Sequence, residues 1–122
     1  GVNYSVDWMY TKAGLPMEII QEYDTWRRVR DADGAEGWIN QSLLSGKRTA
    51  IAAPWQKGKE IHVNLLRDPD EKSSVVAVLE PGVVGKIKTC NGAWCETTFN
   101  GYDGWIQQTL IWGAYPDEQV GE

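Results

Sequence analysis

Histidine and phenylalanine each occur only once in this 122-residue sequence, and cysteine only twice. His62 has no Ser or Cys motif beside it, so no base–nucleophile pair is available. Two thiols and one distant imidazole are too few ligands for a zinc site. No phosphate-cradling glycine loop is present. The chain is therefore expected to be non-catalytic, without metal or other cofactor. Long apolar runs are also missing: none approaches the 18 residues that a membrane-crossing helix would need. Basic residues are outnumbered, 12 against 17 acidic, for a net charge of −5. The small basic clusters (Arg27, Arg28, Arg30; Lys86, Lys88) are interleaved with acids, which argues against a nucleic-acid partner. Asp68, Asp70 and Glu71 share a charged loop and read as solvated carboxylates.

Tryptophan is what the sequence has in excess. There are seven, more than the core of so short a chain needs, and each buried indole N–H wants a partner.

The sequence repeats itself. At an offset of 68 residues the halves coincide without gaps for about thirty positions: Ser5 meets Ser73, Gly14 meets Gly82, Ile19 meets Ile87, and Trp26 meets Trp94. At an offset of 67, Gly37-Trp38-Ile39 meets Gly104-Trp105-Ile106, and Gln41-Ser42-Leu43-Leu44 meets Gln108-Thr109-Leu110-Ile111. So many matches in order mark a tandem duplication. The expected units are residues 1–55 and 56–122, with a short hinge at 56–59.

Each unit reads as short strands with turn-like separators. They are expected at 17–23, 26–31 and 35–40, and again at 83–90, 94–98 and 102–107. Further strand-like segments fall at 48–53 and 61–67. Residues 41–44 and 108–111 are too short for an α-helix and suit one 3₁₀ turn each. The fold class is all-β: two small barrels of short antiparallel strands, each with a 3₁₀ turn before its last strand.

Gly14, Trp26, Gly37-Trp38-Ile39 and Leu43-Leu44, repeated as Gly82, Trp94, Gly104-Trp105-Ile106 and Leu110-Ile111, give the chain its family likeness. It resembles bacterial SH3-like (Src-homology-3-like) domains over nearly its whole length. Leu66-Arg67-Asp68-Pro69, followed by Ser73-Ser74-Val75-Val76, is similar to the family's opening segment. Gly1 lies opposite Pro69, so the first unit lacks a counterpart of residues 61–68. An incomplete first barrel is expected, with an open or otherwise covered sheet edge and more chain upstream of Gly1. No signal peptide is visible, and the chain reads as a processed or trimmed fragment.

Cys90 and Cys95 bracket a hairpin tip, where the first unit has Glu22 and Arg27. A two-residue turn would leave the thiols diagonal and too far apart, whereas a four-residue loop would set them opposite and permit a disulfide. The second arrangement is favoured. A disulfide implies an oxidising compartment, hence the periplasm, the cell envelope or beyond.

Strand parity directs attention to the indoles. If Ile39 faces the core, Trp38 faces away, and Trp26 and Val29 likewise oppose each other. Trp26 with Trp38, and Trp94 with Trp105, then form matched aromatic pairs outside the aliphatic core. These pairs either cover the barrels and the contact between units, or form a ligand shelf with Tyr23 and Tyr102 at its rim. Trp55 and Trp112 are the candidates for contact between units, with Trp8 also outside the shared pattern. The resemblance implies an exported envelope module that binds peptidoglycan, its peptide stems or another peptide. The alternatives are a protein–protein adaptor, and an accessory targeting region of an envelope hydrolase. Nothing in the sequence fixes the oligomeric state.

Overall fold

A computed structural model describes residues 7–121. Residues 1–6 and 122, including the Ser5 of the repeat alignment, lie outside the described residues. In chain order the strands are β1 (Asp7–Thr11), β2 (Pro16–Tyr23), β3 (Trp26–Arg30), β4 (Glu36–Asn40), β5 (Leu44–Ser45) and β6 (Thr49–Ala52). There follow β7 (Val63–Leu66), β8 (Val75–Leu79), β9 (Val84–Asn91), β10 (Trp94–Phe99), β11 (Tyr102–Gln107), β12 (Ile111–Trp112) and β13 (Gln119–Val120). 3₁₀ turns occupy Gln41–Leu43, Pro54–Gln56 and Gln108–Leu110. The described residues contain no α-helix, and the fold is all-β with two curled antiparallel sheets, as the resemblance implies.

The first sheet runs β4-β3-β2-β1-β5, and the second β12-β6-β9-β10-β11-β7-β8 with β13 added to β9. The duplication extends to irregularities. Ile19 faces Val29 and Gln21 faces Arg28, leaving Ile20 as the extra residue of a bulge. Ile87 faces Thr97 and Thr89 faces Glu96, leaving Lys88 at the matched place. A bulge sharpens local twist, which is how a short strand wraps around a small core.

β6 falls within the range expected for the first unit, yet it hydrogen-bonds into the second sheet. There it takes the place that β1 holds in the first. Tyr10 faces Pro16 and Ser45, while Ile51 faces the matched Val84 and Trp112. The turn bonds agree too. Thr11 N donates to Leu15 O (2.9 Å) and Gly14 N to Thr11 O (2.8 Å), as Ala52 N donates to Val83 O (2.9 Å) and Gly82 N to Ala52 O (2.7 Å). The sequence counterpart of β1 is β8, and β8 instead pairs with β7 at the far edge.

Two cores of unequal size result. The second gathers residues from β6 through Ala114, among them Ala50, Ala52, Leu65, Cys95, Phe99 and Ile106 at full burial. The first is built from Ile19, Val29 and Leu44, with Met9, Met17 and Ile39 packed partly against them.

The sheets meet through a mixed seam. Trp8 is buried and packs edge-on against Trp112, with ring centroids 4.8 Å apart, and against Tyr115 at 4.9 Å. The Trp112 indole donates to Pro16 O (3.1 Å), the Tyr10 hydroxyl to Gly113 O (2.9 Å), and the Tyr115 hydroxyl to Glu18 Oε2 (2.5 Å). Arg48 donates to Glu118 Oε2 (2.7 Å), and Glu118 Oε1 accepts from Tyr115 N (2.9 Å). The two aromatic hydroxyls and the Trp112 indole N–H each donate to the opposite unit, whereas the buried Trp8 Nε1 has no hydrogen-bond partner among the described residues.

Candidate functional site

The hairpin between β9 and β10 turns through a four-residue loop. The Asn91 side chain accepts from Ala93 N and Trp94 N (2.9 and 2.8 Å). Cys90 and Cys95 therefore stand directly opposite and form a disulfide. That bond fixes the start of β10, where Trp94 sits. β10 alternates: Cys95, Thr97 and Phe99 point into the core, and Trp94, Glu96 and Thr98 point out. Across the ladder Trp94 faces Gln107 and Glu96 faces Trp105, so Trp94 and Trp105 share the outer face on a diagonal. Tyr102 faces the buried Phe99, which gives it the opposite parity, and it projects 54% exposed at the strand end. Asp103 accepts from the Thr98 hydroxyl (2.6 Å) and from Lys88 Nζ (3.1 Å); these bonds, the Thr98 one foremost, hold its carboxyl below the usual range.

Trp94 and Gln107 belong to the wall of a cleft of about 320 Å³, a size suited to a small ligand or a few residues of peptide. Leu66, Val75 and Leu110 supply its apolar surface. Its polar groups are Gln56, His62, Asn64, Glu71, Ser73 and Gln107. Glu71 is exposed, as the sequence suggested, and its Oε1 also accepts from Gln107 Nε2 at 2.7 Å. The loop carrying it is shaped by its own side chains, Asp68 N donating to Ser73 Oγ (2.8 Å) and Lys72 N to Asp70 Oδ1 (2.9 Å). Neither Lys nor Arg lines the cleft. Sequence reasoning singled out Trp94 but not its partners, since Glu71 and Gln107 meet only once the β7–β8 hairpin folds back on β11.

In the first unit Tyr23 faces Trp26 across β2–β3, and Trp38 lies diagonally from Trp26 across β3–β4. All three are open to solvent: Trp26 is 45% exposed, Trp38 48% and Tyr23 73%. Of the two Trp considered for contact between units, Trp112 lies in the seam, and Trp55 stands on the 3₁₀ turn at 49% exposure.

Residues 1–46 and 59–113 match the family described as Bacterial SH3 domain. The chain belongs to that family. The two matched stretches leave out residues 47–58, where β6 crosses from one SH3 unit to the other. No curated protein matches the sequence. Among solved structures, the chain is similar to NlpC2 of Trichomonas vaginalis at 14% identity and a TM-score of 0.46, over 81% of this chain and 35% of that one. NlpC1 of the same organism gives 15% identity and a TM-score of 0.45, over 80% and 33%. The chain thus spans about a third of the length of either protein.

Proposed function

We propose that this pair of SH3 units is a non-catalytic binding module of the bacterial cell envelope, exported to an oxidising compartment, whose second unit holds a cell-wall peptide. The cleft between Trp94 and the β7–β8 hairpin carries the reading. An indole wall and aliphatic floor offer contact area, and the amides of Asn64 and Gln107 are placed to pair with peptide groups. Glu71 is the one carboxylate lining the cleft, and no Lys or Arg lines it, which suits a ligand bearing an amino group, such as the diamino acid of a peptidoglycan stem. The disulfide supports export, because such bonds persist outside reducing cytosol.

Titration calorimetry with soluble muropeptides tests this. Binding is expected for the native chain and a loss of about tenfold or more for Trp94→Ala, the weight of one stacked anchor. No heat with the native chain, or equal affinity for Trp94→Ala, removes this ligand from this cleft. A polypeptide partner is the second reading, favoured by the exposed Tyr23, Trp26 and Trp38 on the first unit.

A further inference from the structure

The chain is acidic overall, yet four of its twelve basic residues line one cavity of about 480 Å³, and no Asp or Glu lines it. Lys12 comes from the turn between β1 and β2, Lys47 and Arg48 from the link between β5 and β6, and Lys86 from β9. Both sheets therefore contribute. Arg48 is already engaged: Glu118 Oε2 accepts from it at 2.7 Å, and its guanidinium stands 5.8 Å from the Tyr10 ring centre. It fixes the link and adds little free charge. The three lysines differ. All are exposed, and none pairs with a carboxylate among the described residues. Lys88, two residues beyond Lys86, does pair, with Asp103 at 3.1 Å.

This cluster is not a product of the duplication. At the repeat offsets Lys12, Lys47 and Lys86 correspond to Glu80, Ala114 and Glu18. Lys47 also lies between the two stretches that match the SH3 family. Neutral donors stand beside the lysines. Thr11 Oγ1 accepts from Leu15 N (2.9 Å) and Ser45 Oγ from Lys47 N (3.3 Å), which leaves both hydroxyl protons to donate. Thr49 lines the same cavity at 9% exposure, and its hydroxyl has no hydrogen-bond partner among the described residues. Buried polar groups rarely stay in that state.

We propose that this cavity is a second binding site, which takes the phosphate group of a phosphate monoester between Lys12, Lys47 and Lys86. Lysine binds phosphate as a point charge. A phosphomonoester carries a charge of about −1.5 to −2 at neutral pH, which three ammonium groups match better than they match a single carboxylate. A neighbouring hollow shares Ala13, Gly14, Thr49 and Lys86 and continues to Asn100 and Gly101. The esterified group therefore has room beyond the phosphate. Because the lysines come from both sheets, an occupant also ties the two units together and stabilises the fold.

Glycerol 3-phosphate is the probe, titrated into the intact chain at low ionic strength with sodium lactate as the carboxylate control. Calorimetric binding and a raised melting midpoint are expected with the phosphate ester and not with lactate, and added salt should weaken both effects. Replacing Lys12, Lys47 and Lys86 together by Gln should weaken binding by at least about tenfold. Lys72→Gln makes the same charge change outside the cavity and should leave affinity unchanged. If the triple variant misfolds, Lys12→Gln and Lys47→Gln are read singly, each with a loss of about threefold or more. Trp94→Ala should bind the ester as the native chain does, so this site and the peptide cleft stand or fall separately. The proposal is overturned if the native chain binds no ester, if lactate binds as tightly, if the lysine variants keep native affinity, or if Lys72→Gln loses as much as they do. Phosphatidylcholine vesicles with and without phosphatidic acid identify the source of the phosphate. Co-sedimentation that needs phosphatidic acid, is competed by glycerol 3-phosphate and is lost in the triple variant assigns the site to a lipid headgroup. Binding of the soluble ester alone assigns it to a soluble ligand.

Discussion

Cys90 and Cys95 are joined across β9–β10 at the register position where, in the first unit, Glu22 and Arg27 form an ion pair at 3.3 Å. One module has closed the same cross-strand site by two kinds of chemistry. Their weights differ. Closing a loop this short is worth about 2 kcal/mol in the chain-entropy treatment. A partly exposed ion pair contributes well under about 1 kcal/mol. Replacing both cysteines by serine should therefore lower unfolding free energy by about 2 kcal/mol, whereas Glu22→Gln should change it by less than about 0.5 kcal/mol. Urea denaturation of both variants beside the native chain checks this. Equal losses would mean that the disulfide does little beyond packing.

Much of this fold is legible in the sequence because the duplication repeats each signal twice. The Gly-Trp-Ile triplets mark β4 and β11, and the alternation in β10 gives the parity of Trp94 and Trp105. Other parts cannot be read that way. β1 (Asp-Trp-Met-Tyr-Thr) has too few aliphatic residues to stand out as a strand, and β8 (Val-Val-Ala-Val-Leu) is apolar throughout and shows no alternation. β6 is plain as a strand, but its partners are not. Residues 49–52 (Thr-Ala-Ile-Ala) are buried on both faces and show no alternation, so periodicity offers no clue to which sheet buries them. The cleft is hidden for a similar reason. Glu71 and Gln107 are 36 residues apart, and neither belongs to a motif.

The seam between units makes stability fall at alkaline pH. Tyr10 is almost fully buried, and burial is the largest cause pushing its phenol well above the ordinary value, with Arg48 opposing. Tyr115 is pushed up first by burial and then by its bond to the Glu18 carboxylate. Both folded values exceed the unfolded value of about 10. Below that pH both phenols are protonated in both states, and their contribution is complete. Above it the unfolded chain releases protons that the folded chain keeps, so stability declines. The limiting slope is about 1.4 kcal/mol per pH unit for each phenol that stays protonated in the folded chain while its unfolded counterpart ionises. Denaturation midpoints should drop between about pH 10 and 11.5, and Tyr10→Phe should flatten that drop. A native midpoint level across this range would show that these phenols do not differ between states.

The crossing of β6 sets where the chain can be cut. Ala50 and Ala52 are fully buried in the second core, and β6 supplies the strand between β9 and β12. A fragment of residues 56–122 would lose that strand, expose the edges of β9 and β12 and open the core on one side. Modules of about sixty residues have little stability in reserve, so this fragment should show no cooperative melt. A fragment of residues 47–122 keeps β6 and the Arg48–Glu118 contact, and should fold with near-ultraviolet dichroism close to that of the full chain's second unit. It loses the first-unit neighbours of Arg48, Thr49, Trp112, Gly113 and Tyr115, a cost of roughly 2 to 4 kcal/mol. Thermal melts of the two fragments decide the matter. Should 56–122 melt as sharply and as high as 47–122, β6 would be dispensable to the second SH3 unit, and its match in register to β1 would carry no energetic weight.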